Sequence, residues 1–204
     1  MFALVDKSDN SITRMYSGNK GITIGDNQYP RAIFTLWSES ERNAINIYTV
    51  TIDKSKRKDE KWYINTDITY SFDGTNATGS YGDATAKEHA DTLWTADDES
   101  KGYGTEGEVA AEGLKTLLIR NVKAQAESEL NKTDWYVVRK TEESTAIPSA
   151  VTTHRKAVRS KQAAMETSIT NASDTPALET LYTYTKQEDG STTRPLGEIP
   201  VKEF

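Results

Sequence analysis

The chain has 204 residues, a net charge of −6 at neutral pH and a hydrophobic fraction of 35%. It has no cysteine and two histidines, His89 and His154, which excludes disulfide scaffolds, thiolate metal centres and cysteine nucleophiles and leaves little to build a histidine metal site or a Ser-His-Asp triad. No apolar run approaches the ~20 residues of a bilayer span, the first ten residues lack the pattern of a secretory signal, and the acidic balance disfavours nucleic acid and anionic membranes as partners.

Phe2 and Leu4, the turn-rich Asp6–Ser11, and Ile12 with Met15 read as strand, turn, strand. Ile22–Ile24 is a short strand ending at Gly25-Asp26, and Pro30 holds Tyr29 extended. Ile33–Trp37 is an apolar cluster. Ser38 and Glu41 have the spacing of a capping box, so a short helix is expected over Glu39–Asn43. Ile45–Ile52 reads as a strand. The charged run Lys54–Lys61 interrupts the β pattern as a solvated turn, and Trp62–Phe72 resumes it. Asp73-Gly74 signals a hairpin returning through Ala77–Tyr81.

The composition changes near Gly82. A helix is expected over Ala86–Thr95, capped by Asp83 or Thr85, then an acidic loop over Asp98–Gly107. A longer helix is expected over Glu108–Leu130, because Leu114, Leu118, Val122, Ala126 and Leu130 recur every four residues. Asn131–Asp134 breaks it. Pro148 opens another helix running to Asn171, with Val151, Val158 and Met165 seven apart. Leu181–Tyr184 and Thr192–Leu196 flank Glu188-Asp189-Gly190 as a hairpin. The expected fold is α+β: a β-rich N-terminal module over 1–82, then a helical module over 83–204 with a C-terminal β-hairpin tail.

Among candidate chemistries, Asp97, Asp98, Glu99, Glu106 and Glu108 are hard-cation ligand types, but their spacing matches no calcium loop and they read as a solvated acidic loop. Lys56, Arg57 and Lys58 could touch phosphates, yet Asp59 and Glu60 interleave with them. Gly102 and Gly104 do not follow a strand and open a helix, so no nucleotide loop is expected. Neither an enzyme nor a metal or other cofactor is indicated.

One constellation stands out. Thr133-Asp134-Trp135 follows the first long helix, and Ile147-Pro148 leads into His154-Arg155-Lys156-Ala157-Val158-Arg159 on the next. Arg155 and Arg159 are four apart, hence on one helix face, where either can meet Asp134 beside a large aromatic ring. Trp135 is expected to be largely buried and Asp134 to lie within salt-bridge reach of Arg155 or Arg159. Trp135, Tyr136, Arg155 and Arg159 are of the types that dominate protein-binding hot spots.

These residues resemble the tail fibre assembly protein family of tailed bacteriophages, also called tail assembly chaperones. The family's pattern is a helix leading to Thr-Asp-Trp, a spacer, then a helix bearing Tyr-Arg-x-Ala-Leu-Arg. Thr133-Asp134-Trp135 matches fully, and His154–Arg159 matches with His for Tyr and Val for Leu. The resemblance spans Leu114–Ile169. Family members often finish with Trp-Pro after the arginine helix, whereas this chain continues through Thr175-Pro176 into a Tyr-rich tail. The first half, with Tyr29-Pro30 and Ile33–Trp37, resembles N-terminal modules of phage tail proteins, which adds Tyr29 and Trp37 to the candidate partner-binding residues. The resemblance implies a non-enzymatic protein that binds tail fibres or other tail proteins in the cytoplasm of an infected bacterial host. It gives Thr133, Asp134, Pro148 and His154 structural parts in the motif. Two alternatives stand beside it: a permanent virion-tail component such as an adaptor, and a receptor- or glycan-binding tail protein. Ten tyrosines and four tryptophans in a chain of low apolar content suit contact surfaces, so function in complex with other proteins, or with further copies of the chain, is expected over a free monomer. Open strand edges in the N-terminal module are expected to offer pairing sites.

Overall fold

A computed structural model describes residues 1–204. The chain is α+β and divides into two units, Met1–Thr85 and Ala86–Phe204. No helix is long and apolar enough to cross a membrane.

The first unit is built on β1 (Phe2–Asp6), β2 (Ser11–Tyr16), β3 (Ile22–Ile24), β4 (Asn27–Tyr29), α1 (Glu39–Ala44), β5 (Ile47–Asp53), β6 (Tyr63–Ile64), β7 (Ile68–Phe72) and β8 (Ala77–Tyr81). Five of these strands form one sheet in the order β2-β1-β5-β8-β7, antiparallel except where β5 runs parallel to β8. One face gathers Ala3, Val5, Tyr48, Val50, Phe72 and Ala77 into an apolar cluster, with Ile12, Met15, Ile52 and Tyr70 against it. All five strands contribute, so the sheet curls around this cluster. Gly79 permits the curl: a Cβ there would lie 2.7 Å from Ile52 Cδ1 and 2.8 Å from Tyr70 Cε1. The curl brings the edge strands β2 and β7 to within 8 Å between Cα atoms, though no backbone ladder joins them. The opposite face of β1 and β5 is covered by the β3–β4 hairpin and a 3₁₀ turn at Arg31–Phe34, which bury Ile22, Ile33, Phe34 and Ile47.

Helix α1 follows from its cap. Ser38 Oγ accepts from Glu41 N–H, and the Glu41 carboxylate accepts from Ser38 N–H at 2.7 Å. Asn46 takes the left-handed conformation just beyond it (φ 62°), and its carbonyl accepts from Val5 N–H. The basic run is tied down rather than presented: Lys56 pairs with Asp83, Arg57 with Glu60, and Lys58 lies over the Tyr63 ring.

The two-residue strand β9 (Thr85–Ala86) straddles the unit boundary. The second unit continues with β10 (Thr92–Leu93), α2 (Ala96–Ser100), β11 (Val109–Ala111), α3 (Leu114–Asn131), α4 (Asp134–Glu143), α5 (Ser149–Asn171), α6 (Thr175–Tyr182), β12 (Thr185–Lys186) and β13 (Thr192–Thr193). The helix expected over Ala86–Thr95 does not form. Thr92 and Leu93 pair instead with Val109–Ala111, and Thr95 caps the short α2 through Asp98. The same pairing delays the first long helix from Glu108 to Leu114. Its N-cap, Gly113, has no side chain to offer. Asp91 supplies the cap from 22 residues away, accepting from Gly113 N–H at 2.7 Å and from Thr116 Oγ1 at 2.8 Å. A Cβ at Gly113 would collide with the Ala90 carbonyl at 2.3 Å, which is why glycine stands there.

Helices α3 and α5 pack antiparallel, burying Leu118, Val122 and Ala126 on one and Val151, Val158, Met165 and Ile169 on the other. Each sends a cation to the other's C-terminal carbonyls: Lys115 Nζ donates to Thr170 O at 2.8 Å, and Arg155 Nη1 to Leu130 O at 2.8 Å. The tail contains the hairpin β12–β13, but Leu181 and Tyr182 belong to α6. Asp174 caps that helix by accepting from Ala177 N–H, and Pro176 occupies its first turn.

Candidate functional site

The Thr133–Asp134 corner is organised from its buried side. Thr133 is fully buried, and its Oγ1 donates back to Leu130 O at 3.0 Å, sealing the end of α3. Arg155, itself buried, donates from Nη1 to Thr133 Oγ1 at 2.7 Å and forms an ion pair with Asp134 Oδ1 at 2.7 Å. One guanidinium therefore holds the last turn of α3, the linking threonine and the first turn of α4. The sequence spacing offered Asp134 either arginine, and Arg155 takes it. Arg159, one turn further on, has no carboxylate within ion-pair distance and lies exposed.

Trp135 corrects its expectation: it is 50% exposed. The reason is helix phase. Residue 133 rather than 135 faces the α3–α5 pair, so Trp135, Val137 and Val138 lie on the outer side of α4. Trp135 stacks on Tyr136 with ring centroids 3.8 Å apart, and the Arg139 guanidinium lies over both rings at 4.6 and 5.4 Å. Val137 and Val138 are exposed beside them. Two adjacent aromatic rings under an arginine, followed by two exposed valines, form a surface of the residue types that bind apolar groups.

His154 does not join that plate. Its Nε2 lies 2.9 Å from Glu129 Oε1, with both groups buried. Glu129 also pairs with Lys132 at 2.7 Å and accepts from Lys202 N–H at 2.9 Å, while the Phe204 ring lies against His154. Burial pushes the Glu129 carboxyl up, but Lys132, the Lys202 amide and His154 together outweigh it and hold it below the usual glutamate range. The sequence resemblance pointed to His154, but nothing local singled out Glu129 as its partner. Pro148 is the N-cap of α5 with extended backbone and no side-chain cap. Tyr29 and Trp37 belong to the first unit, where they meet edge to face at 6.1 Å and pack half-buried against the Ile33–Phe34 cluster.

The carboxylates of the acidic loop are engaged locally. Asp98 Oδ2 accepts from Thr95 N–H and Thr95 Oγ1 in the capping box of α2, Asp97 pairs with Lys101, and Glu99 Oε2 lies 3.4 Å from Glu106 N–H. No three histidine or acidic side chains converge as metal ligands. His89 contributes its backbone carbonyl to Lys115 N–H. Set against protein-family models, curated proteins and solved structures, the chain finds no match in any of the three comparisons.

Proposed function

We propose that this chain is a bacteriophage tail-fibre-associated assembly protein that acts through protein–protein contact and carries out no chemical reaction. The observation that carries the reading is the division of labour at Thr133-Asp134-Trp135. Arg155 uses the threonine and aspartate to lock three helices, and the same corner turns Trp135, stacked on Tyr136 under Arg139, outward. The motif thus builds a rigid frame and an exposed aromatic contact within three residues, which supports a binding role for the resemblance it carries.

The test is co-expression with a long tail fibre from the same phage genome. The complex should copurify and the yield of soluble fibre should rise. Trp135→Ala should weaken the complex by about tenfold or more, as loss of an aromatic hot spot does, with little change in thermal midpoint because the side chain is half in solvent. A fibre that assembles equally well without this chain, and never copurifies with it, overturns the reading. Stoichiometric presence of the chain in purified virions, by mass spectrometry, would replace it with the permanent tail component.

A further inference from the structure

A groove of about 410 Å³ runs beside the corner, between α4 and α5. Val137 and Ile147 give it an apolar side, and Thr152, Lys156 and Arg159 of α5 give it a polar one, with Arg155 at the edge. The spacing of 152, 155, 156 and 159 places them on a single face of α5.

The charge on this face is out of keeping with the chain. Helix α5 carries four basic residues, Arg155, Lys156, Arg159 and Lys161, against Glu166 alone, in a protein of net charge −6. Two of the four are consumed internally: Arg155 by Asp134 and Leu130, Lys161 by the Leu196 carbonyl at 2.7 Å. Lys156 and Arg159 are the two left exposed, and both line the groove. Unpaired cations beside an apolar wall match a ligand that is negative and apolar at once. Two whole copies of so acidic a chain repel at long range, which favours a different protein as the source of that ligand.

We infer that the groove binds an acidic, extended segment of a partner protein, seating one apolar side chain against Val137 and Ile147 and pairing two carboxylates with Lys156 and Arg159. The identity of that partner as a tail protein rests on the assembly reading; the binding chemistry does not. Because Lys156 and Arg159 lie open to solvent, binding weakens as salt rises.

The experiment uses the full chain and fluorescence anisotropy. The probe is a labelled peptide of about eight residues alternating glutamate and leucine, an extended length suited to groove binding. Counterparts carry lysine for glutamate, or serine for leucine. The glutamate–leucine peptide should bind, the lysine peptide should not, and the serine peptide should bind more weakly. Lys156→Glu combined with Arg159→Glu should weaken binding by about tenfold or more with unchanged circular dichroism, since both positions are rim charges. Val137→Ser, on the other wall, should weaken it independently. Equal binding of the lysine peptide, no effect of the double variant, or tighter binding of a short DNA duplex each overturns the proposal. So does sedimentation showing a dimer that the double variant dissociates, because the groove would then hold a second copy. Peptide binding without any fibre complex defeats the assembly reading alone. A fibre complex untouched by the double variant, with no peptide bound, defeats this proposal alone.

Discussion

Arg155 and Arg159 sit one turn apart on α5, and their environments separate them. Arg155 is buried and satisfies Leu130 O, Thr133 and Asp134. Arg155→Ala removes the guanidinium that joins Leu130 O, Thr133 Oγ1 and Asp134 at a buried corner, and should lower stability in urea by about 1–3 kcal/mol. Arg159→Ala, at an exposed site without a partner, should stay within about 0.5 kcal/mol. Equal losses at the two positions would contradict the arrangement. Glu129 makes a second residue-scale prediction. Its carboxyl is held below the usual range, so the unfolded chain binds its proton more readily than the folded one. Its contribution is complete above the unfolded value of ~4.3 and is lost as pH falls through the lower folded value. Glu129→Gln should flatten the acid limb of stability, read as urea midpoints between about pH 3 and 6. Parallel curves for the two proteins would show that Glu129 is not held as described.

At the scale of elements, the helices differ in how local their instructions are. Helix α1 was legible because Ser38 and Glu41 carry its whole cap within four residues. Helix α5 was legible because Pro148 and a seven-residue apolar repeat lie on one continuous stretch. The start of α3 was not, since its cap comes from Asp91 across an intervening hairpin, and no window around Gly113 contains that aspartate. Trp135 was misplaced for a related reason: its exposure depends on the phase that Thr133 and Arg155 impose on α4, which only the folded pair of long helices sets. Helix α6 is the opposite case, because Asp174 and Pro176 form a local start signal that the Tyr-rich run after it obscured. The remote cap is testable. Asp91→Ala should lower the thermal midpoint by about 2–4 °C, the usual scale for a lost cap in a protein of this size. The Asp91 carboxyl is held low by the Gly113 amide and then Thr116, so wild type and variant should converge as pH falls through its folded value. Gly113→Ala should be worse than Asp91→Ala, because the Ala90 backbone cannot yield as a side chain can. An unchanged midpoint in Asp91→Ala would refute the capping assignment, and one in Gly113→Ala would refute the close approach of the Ala90 backbone.

Over the whole molecule, the two units rely on different kinds of order. The first is a sheet curled around ten side chains drawn from all five strands. Gly79→Val would place methyl groups against Ile52 and Tyr70 in that interior and should cost about 1–3 kcal/mol by overpacking. If the valine were tolerated without loss, the interior would be looser than described. The second unit is a helix pair with its ends tied by Lys115 and Arg155, and its outer faces carry the aromatic plate and the basic groove. The function proposed depends on that second surface. The β-rich half contributed the resemblance of Tyr29 and Trp37, and both serve there as packing residues.

The parallel pairing of β5 with β8 has a kinetic consequence. β1–β2 and β7–β8 are hairpins that close within a few residues, but β5 lies between them and bonds to both. The β1–β2 hairpin gains its interior neighbour when β5 is made, but β5 has no second neighbour until Tyr81 has been synthesised. The curled sheet therefore closes last at its β5–β8 seam, a parallel pairing that skips the strands between and is slow to find. Until the eighth strand emerges from the ribosome, a newly made chain carries β2-β1-β5 with one edge of β5 unpaired, and that interval is when it is most exposed to mispairing with its neighbours.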